Sequence, residues 1–412
     1  MIEPAPRLTF GGTAKDWDEG LDLGRMRANR CERAKASLRT HGIAAALLTR
    51  PENIRYTTGG KGLDFIDQTR YTLLTVDHDP ILFEPHGTLA GVHGWIAPDN
   101  IRQAFQWGSQ SCGPDAARHT AKRFAGQVKD TLRELGLEGE ALGIDALDDP
   151  GREALREAGV ATTNVMPAML DARAIKSKDE VNCLKMAAAV AETGWAALFE
   201  KLRPGVRDRD LVAAANDAMY RNGAEDVWAA LVSSGGSGQG TDKIIQVGDV
   251  VVVDFVRCTY LGYNTCFYRS ASVGVKPTQK VIDGYKRMYD RLTRVLDAIK
   301  PGVTTAEVAL LWESAAEKGH GLEDAVWCDD MGHGIGLWLY EYPIVNRLWS
   351  LQFPQTFEAG MTLAVEALDP IDWSVGRIKV EEMIHVTEKG VEVLNRWPGD
   401  QLMIADPITF AG

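Results

Sequence analysis

The second half of the chain contains one sequence pattern twice, and this duplication constrains the fold more than any other feature. LRPGVRDRDLVAA (202–214) and IKPGVTTAEVALL (299–311) each follow a long helical stretch. In both, Pro-Gly ends one helix and a turn rich in Asp or Thr caps the next. Further on, QVGDVVVVDF (246–255) matches EAGMTLAVEA (358–367). Two copies of a helix–turn–helix–strand unit predict a domain with a pseudo-twofold axis.

An acid stands at the same place in both copies. Asp254 follows Gly248 by six positions, and Glu366 follows Gly360 by six. A buried carboxylate is unfavourable unless it is paired, hydrogen-bonded or bound to a metal. The pseudo-twofold axis would bring both acids to the centre of the sheet, which favours a functional site over two separate structural ion pairs.

Composition narrows the class of protein. The 412 residues are many for one core, so two domains are expected. A net charge of −12 without basic clusters makes nucleic acid and anionic membranes poor candidate partners. The longest apolar runs are only strand-sized. Six cysteines without CxxC spacing, and a start that does not resemble a signal peptide, predict a cytoplasmic protein.

The first half is typical of an α/β domain. Its predicted helices and strands are helix 24–41, strand 43–49, two strands around a DHDP turn in 70–85, helix 113–135 and strand 141–145. A long helix within 173–202, entered at Ser177, opens the duplicated half. We therefore expect an N-terminal α/β domain over 1–172 and a C-terminal α+β domain with the repeat over 173–412.

Two further motifs add residues with useful chemistry. DDMGHGIGL (329–337) places His333 between glycines, where the backbone can approach a ligand closely. In GRIKVEEMIHVTEKG (376–390), Glu381 and Glu382 alternate along a strand, so one of them faces inward. The resulting set suits Mn, Fe or Zn, or general acid–base catalysis without a metal. Its members are Asp254, His333, Glu366 and Glu381.

The order of these motifs resembles the pita-bread superfamily, also called M24. This superfamily contains methionine aminopeptidase, aminopeptidase P, prolidase, creatinase and the metal-dependent dimethylsulfoniopropionate lyases. RAIKSKDEV (173–181) resembles the opening of the catalytic domain in the prolidase and creatinase branch, and NIRYTTG (53–59) resembles an element of its N-terminal domain. The resemblance implies a creatinase-like N-terminal domain and a pita-bread C-terminal domain. Carried over by position, it implies these metal ligands: Asp254, Cys266, His333, Glu366 and Glu381.

Three positions depart from the family pattern. Cys266 stands where a second aspartate bridges two metal ions in the family, at the end of a loop one residue longer. Tyr340 replaces a histidine before Glu-x-Pro, and the 233–243 stretch, in which Gln239 is the nearest polar candidate, lacks another histidine. The first change predicts at most one divalent ion, Zn, Fe or Mn, with no metal as the alternative. Cys266 is then either a ligand of that ion or a small buried apolar residue.

These departures shape the expected function. Loss of both histidines predicts poor cleavage of Xaa-Pro peptides, while the lyase branch tolerates both losses. We expect a non-peptide small-molecule hydrolase or lyase that uses acid–base chemistry. The alternatives are elimination at a C–S or C–C bond, an Xaa-Pro peptidase, and a binding protein without catalysis. The expected catalytic residues are Asp254, His333, Tyr340, Glu366 and Glu381.

The substrate is expected to be aromatic or cationic and to carry a carboxylate. The predicted binding residues are Arg70, Trp327, Trp338 and Glu341. The resemblance to the creatinase branch further implies a homodimer in which Arg70 of one chain reaches the catalytic cleft of the other and anchors the carboxylate.

Overall fold

The computed structural model describes residues 21–61, 70–85, 96–108, 112–233, 241–372 and 376–407, without the side chains of 228–233, 369–372 and 376–377. The chain divides into two compact units between Arg173 and Ala174, one residue after the predicted boundary, and Asp22 groups with the second unit. The described segments contain no helix long and apolar enough to cross a bilayer.

The first unit is built on a six-stranded sheet with the order β4-β3-β2-β1-β5-β6. Its core packs Tyr71, Trp107 and Phe124, and the last two rings stack with centroids 3.9 Å apart. Apolar residues recur with the strand period in the strands and with the helix period in the helices, so each element has one apolar face that packs into this core, as expected for an α/β domain. The elements are α1 (Leu23–Thr40), β1 (Ala45–Leu48), α2 (Pro51–Thr58), β2 (Tyr71–Thr75), β3 (Ile81–Glu84), β4 (Ile101–Gln103), α3 (Pro114–Glu134), β5 (Leu142–Ile144), α4 (Asp149–Glu157), β6 (Thr162–Asn164) and α5 (Met166–Ala174).

The second unit opens with a helix whose start follows directly from its sequence. The Ser177 hydroxyl accepts a hydrogen bond from the backbone N–H of Glu180, and the Glu180 carboxylate accepts one from the backbone N–H of Ser177. This reciprocal pair is a capping box. The elements that follow are α6 (Lys178–Lys201), α7 (Asp208–Arg221), β7 (Asp226–Ser233), β8 (Val250–Thr259), β9 (Tyr268–Val273), α8 (Gln279–Ala298), α9 (Thr305–Ala309), β10 (Met331–Gly334), β11 (Glu341–Val345), β12 (Thr362–Asp372), β13 (Gly376–Val386), β14 (Val391–Val393) and β15 (Met403–Ala405).

Matching backbone hydrogen bonds confirm the repeat. The glycine of each Pro-Gly pair donates a backbone hydrogen bond to a residue shortly before the strand that carries the acid of its copy. Gly205 N donates to Ile245 O, ahead of β8, and Gly302 N donates to Phe357 O, ahead of β12, both at 2.9 Å. At the strand start, Gly248 N donates to Val273 O and Gly360 N donates to Val386 O, both 2.8 Å. Gly248 and Gly360 have φ values of 88° and 95°, a left-handed region that favours glycine. The predicted pseudo-twofold unit is therefore real.

Two sheets carry the site. One has the order β15-β9-β8-β7 and the other β11-β10-β12-β13-β14, with β13 lying against β8 and β9. Asp254 on β8 pairs in register with Tyr268 on β9, and Glu366 on β12 pairs with Glu381 on β13. The two symmetry-matched acids thus lie on strands of two different sheets, close enough for the charge of Glu366 to raise the pKa of Asp254, as the repeat predicts.

Candidate metal centre and active site

The five residues implied as ligands by the resemblance all lie on or beside these central strands, and all are buried. Asp254 lies on β8, Cys266 just before β9, His333 on β10, Glu366 on β12 and Glu381 on β13. His333 is part of a strand, whereas the sequence suggested a glycine loop. The flanking glycine is still needed, because a Cβ on Gly334 would lie 2.4 Å from the carbonyl oxygen of Tyr342.

Cys266, His333 and Glu381 form the tightest group. Their ligand atoms all lie within 4.8 Å of one another, and His333 Nε2 is 3.8 Å from Glu381 Oε1. The opposite ring nitrogen, Nδ1, is 3.0 Å from the carbonyl oxygen of Gly334, and a proton there leaves the Nε2 lone pair facing Glu381. Among the described residues, none donates a hydrogen bond to the buried Glu381 Oε2.

This group fits one metal ion. A thiolate, an imidazole and a carboxylate are together typical of Zn or Fe sites. A buried carboxylate oxygen without a partner is unfavourable by itself and is accounted for by a bound cation. The residues present therefore match the single ion expected from the sequence.

Asp254 and Glu366 have different partners. Asp254 pairs in register with Tyr268 on β9, and the Cys266 thiol lies 3.8 Å from Asp254 Oδ1. The ammonium of Lys379 is 2.7 Å from Glu366 Oε2 and 4.5 Å from the centroid of the Tyr268 ring. Lys379 therefore places a cation among the acids of the site.

Sequence reasoning missed Tyr268 and Lys379, although a signal for Lys379 was present. Lys379 and Glu381 are two positions apart on one strand, so their side chains point to the same face. Once Glu381 is placed in the site, Lys379 must flank it. Tyr268 offered no comparable signal, since its position opposite Asp254 depends on the β8–β9 register.

Burial and like charge set the protonation of the site. Burial raises the pKa of Asp254 to about 7, and burial also raises the pKa of Glu366, against the effect of Lys379. Burial, with the charges of Glu366 and Asp254, holds the pKa of Glu381 well above its ordinary value. Burial lowers the pKa of His333 to about 4, so the imidazole is neutral, the form that binds metals. The carboxyl group of Asp254 can therefore hold a proton near neutral pH, as acid–base chemistry requires.

Aromatic side chains surround the group. The Tyr340 ring stacks on His333 with centroids 4.2 Å apart, and 49 % of the Tyr340 side chain is exposed. Trp327 and Trp338 are also partly exposed, and Trp327 pairs with the Trp349 ring at 5.6 Å. Tyr340 thus directly borders His333, while substrate binding by the two tryptophans stays a prediction.

Glu341 and Arg70 already have partners. Glu341 is buried, its Oε2 lies 3.0 Å from Lys176 Nζ, and its Oε1 accepts from the backbone of Trp338 at 3.1 Å. These contacts favour a structural role for Glu341 over substrate binding. In the first unit, Arg70 Nε is 2.5 Å from Glu84 Oε2, and only 11 % of the arginine side chain is exposed. Arg70 would reach a substrate only if this pair opened. Gln239 lies outside the described residues.

Comparison with known proteins agrees with the fold. The model of metallopeptidase family M24 matches residues 182–388, and that of the creatinase/prolidase N-terminal domain matches residues 30–175. A solved Xaa-Pro dipeptidase from Bacillus anthracis superposes with a TM-score of 0.72 at 24 % identity, covering 92 % of this chain and 99 % of that one. The likeness confirms the two-domain architecture.

Relatives carry two kinds of name. An Xaa-Pro dipeptidase of Pyrococcus furiosus is 30 % identical over 234 residues, and the match covers 55 % of this chain but only 64 % of that protein. A dimethylsulfoniopropionate lyase of Roseovarius nubinhibens is 25 % identical over 427 aligned positions, covering 98 % of this chain and 93 % of that protein. The dipeptidase names do not support the expectation of poor peptide cleavage. The matching family models, the duplicated fold and the placement of the site residues together show that this chain belongs to metallopeptidase family M24.

Proposed function

We propose that this chain is a small-molecule hydrolase or lyase that works with one divalent ion, Zn, Fe or Mn, held by Cys266, His333 and Glu381. The observation that carries the proposal is the approach of these three side chains within 4.8 Å, with Glu381 Oε2 left without a hydrogen-bond donor among the described residues. The presence of Cys266 and Tyr340 in place of two family residues supports a substrate other than a peptide.

The residues divide the chemistry between them. The ion, when bound, would act as a Lewis acid and polarise a substrate oxygen. Asp254 and Glu366 lie beside the ligand group as carboxyl groups able to take or give a proton. Tyr340 covers His333 and points a phenol towards a bound substrate, where it donates a hydrogen bond. Partial burial raises the pKa of Tyr340, so the phenol form dominates.

A second candidate function is an Xaa-Pro dipeptidase. It is favoured by the relatives, because the Pyrococcus furiosus protein that this chain matches bears that name. The two candidates need the same fold and the same ion. They differ in whether Tyr340 can replace the family histidine in its contact with a peptide.

A substrate panel separates these functions. The purified protein is stripped with a chelator, reloaded with Zn²⁺, Fe²⁺ or Mn²⁺, and assayed on Xaa-Pro dipeptides and on carboxylates that carry an aromatic, ammonium or sulfonium group. Mass spectrometry in ¹⁸O water then distinguishes hydrolysis, which incorporates the label, from elimination, which yields an unlabelled alkene.

We expect metal-dependent turnover of a non-peptide carboxylate, and a loss of about 10²–10⁴-fold in kcat for Tyr340→Phe, which keeps the ring on His333 but removes the hydroxyl. Metal-dependent turnover of Xaa-Pro dipeptides alone, at ordinary enzyme rates, would establish the second candidate instead. Full activity in the stripped protein would contradict the metal-dependent mechanism.

A further inference from the structure

The acids of the site fall into two groups by their partners. Asp254 lies opposite Tyr268 across the β8–β9 pair, and the Cys266 thiol lies 3.8 Å from its Oδ1. Glu366 holds the ammonium of Lys379 at 2.7 Å. Glu381, in contrast, keeps one oxygen for which the described residues provide no donor. The need for a cation is therefore already met at Glu366 and remains open at Glu381.

Several contacts hold the Lys379 side chain in this position. Its side chain is 16 % exposed, and its ammonium also lies over the Tyr268 ring at 4.5 Å and 3.4 Å from the carbonyl oxygen of Cys328. A cation above an aromatic face is attracted by the ring. The Tyr268 ring therefore stabilises the ammonium that neutralises Glu366.

We propose that Lys379, supported by Tyr268, occupies the place of a second metal ion and so restricts this chain to one ion. The inference rests on the proposed function only in taking Cys266, His333 and Glu381 as the site of the remaining ion. The inference is that Lys379 excludes the second metal ion. The sequence alone attributed the absence of that ion to Cys266, which replaces the bridging carboxylate of the family.

The position of the ammonium supports this assignment. It lies 2.7 Å from Glu366 Oε2 and so already neutralises that carboxylate. A second divalent ion bound to Glu366 would lie beside the ammonium, and repulsion between two cations in a buried site is strongly unfavourable.

Four proteins test the inference: the wild type, Cys266→Asp, Lys379→Met and the double variant. Each is dialysed against Mn²⁺, separated from free ion, and analysed for bound Mn²⁺ per chain. Electron paramagnetic resonance then distinguishes isolated ions from exchange-coupled pairs. Lys379→Gln serves as a second replacement if the methionine variant does not fold. Lys318→Met is the matched control, since Lys318 Nζ is 2.6 Å from buried Asp330 in the same unit but outside the ligand group.

We expect the wild type, Cys266→Asp and Lys318→Met to bind equal numbers of ions. Lys379→Met and the double variant should bind one more, and the double variant should show a coupled pair. A second ion in Cys266→Asp alone would overturn the inference, because the cysteine would then be the cause. No gain in either Lys379 variant would overturn it as well.

The absolute count in the wild type tests the proposed function separately. A wild type without metal would contradict the single-ion mechanism. A wild type that binds one ion, with no gain on replacing Lys379, would contradict the present inference and leave the single-ion mechanism intact.

Discussion

The three acids of the site differ in the partner that each one has. Glu366 is neutralised by the ammonium of Lys379, and Asp254 lies 3.8 Å from the Cys266 thiol. Glu381 lies close to both of these acids, and their charges raise its pKa further. The apo chain therefore concentrates its electrostatic strain at Glu381, the residue that a metal ion would relieve.

Glu381→Gln should remove this strain together with the ion site. We expect a higher Tm than the wild type in chelator, because an acid is lost from a buried acidic cluster. We also expect no rise in Tm on adding Zn²⁺ to this variant. In the wild type, free Zn²⁺ at 1,000 times its Kd should raise the free energy of unfolding by about 4 kcal/mol and therefore raise the Tm. Differential scanning calorimetry with and without the ion measures both effects.

The neighbouring Glu382 provides the control for that prediction. Glu382 is buried on the other face of β13 and pairs with Arg269 at 2.9 Å. Glu382→Gln should lower the Tm but leave the Zn²⁺-induced rise intact. A normal Zn²⁺-induced rise in Glu381→Gln would show that Glu381 is not a ligand.

At this scale the sequence predicted the acids better than their partners. Asp254, Glu366 and Glu381 could be placed because the repeat and the strand period assign them to one centre. Tyr268 and Lys379 act through contacts across strands, Asp254 with Tyr268 and Glu366 with Lys379. Such contacts depend on the register and on which side chains meet diagonally, and a single sequence specifies neither.

The secondary-structure elements show how the chain accommodates its departures from the family. The resemblance implies one extra residue in the loop before Cys266, and the strand that leads into this loop has an irregular backbone. Arg257 has a φ of 56°, and both Arg257 N and Cys258 N bond to Thr265, the first to its carbonyl oxygen and the second to its hydroxyl. Two residues of β8 thus face one residue of the returning chain, the arrangement found in a β-bulge.

Arg269 ties the two sheets together next to the site. Its guanidinium donates to the carbonyl oxygens of Tyr268 and Glu381, both at 2.8 Å, and to the side chain of Glu382. It also donates to the carbonyl oxygen of Trp397 in the C-terminal segment. Arg269 therefore helps to fix the relative position of β9 and β13, together with Ser270, whose hydroxyl donates to the carbonyl oxygen of Lys379 at 2.9 Å.

Arg269→Met should destabilise the protein by about 3–5 kcal/mol, because it leaves the buried Glu382 without its charged partner. Chemical denaturation measures the loss. Lys185→Met is the control: Lys185 pairs with Glu392 at 2.6 Å, but both side chains are well exposed, so the loss should stay below about 1 kcal/mol. Equal losses in the two variants would contradict the role given to Arg269.

Helix lengths were harder to predict from the sequence than helix positions. Both Pro-Gly turns and the Ser177 cap were correctly placed, since these signals are local. The second helix of each copy, however, has 14 residues in α7 and only five in α9. The apolar pattern of 305–311 suggests a longer helix, yet Leu310 and Leu311 lie beyond its end and are exposed. Tertiary packing ended the helix where local propensity did not.

At the scale of the whole molecule, the chain combines a duplicated domain that holds the site with an N-terminal domain whose role is still a proposal. The repeat was predictable because each copy carries its own glycines and helix caps. The proposed homodimer, with Arg70 completing the partner's site, rested on resemblance. The Arg70–Glu84 pair now adds a structural function that the sequence did not indicate.

Arg70→Ala therefore has two expected effects. Loss of the pair should destabilise the N-terminal domain, because Glu84 is buried, and Arg70→Ala/Glu84→Gln should recover part of that stability. If Arg70 also anchors a substrate carboxylate, both variants should show a raised KM, since a charge-assisted bond contributes about 1.5–3 kcal/mol. Light scattering measures the expected dimer. A monomer, or an unchanged KM in the stable double variant, would refute the substrate role.

Metal-edge X-ray absorption of the purified, Zn²⁺- or Fe²⁺-loaded protein tests the central claim most directly, because it reports the ligands of the ion without an assay or a known substrate. A single ion held by Cys266, His333 and Glu381 predicts one sulfur neighbour at about 2.3 Å, nitrogen and oxygen neighbours at about 2.0–2.2 Å, and no metal–metal distance. Cys266→Ser should remove the sulfur and leave the other neighbours. A spectrum with only nitrogen and oxygen neighbours, and a second metal at about 3.5–4 Å, would contradict the account.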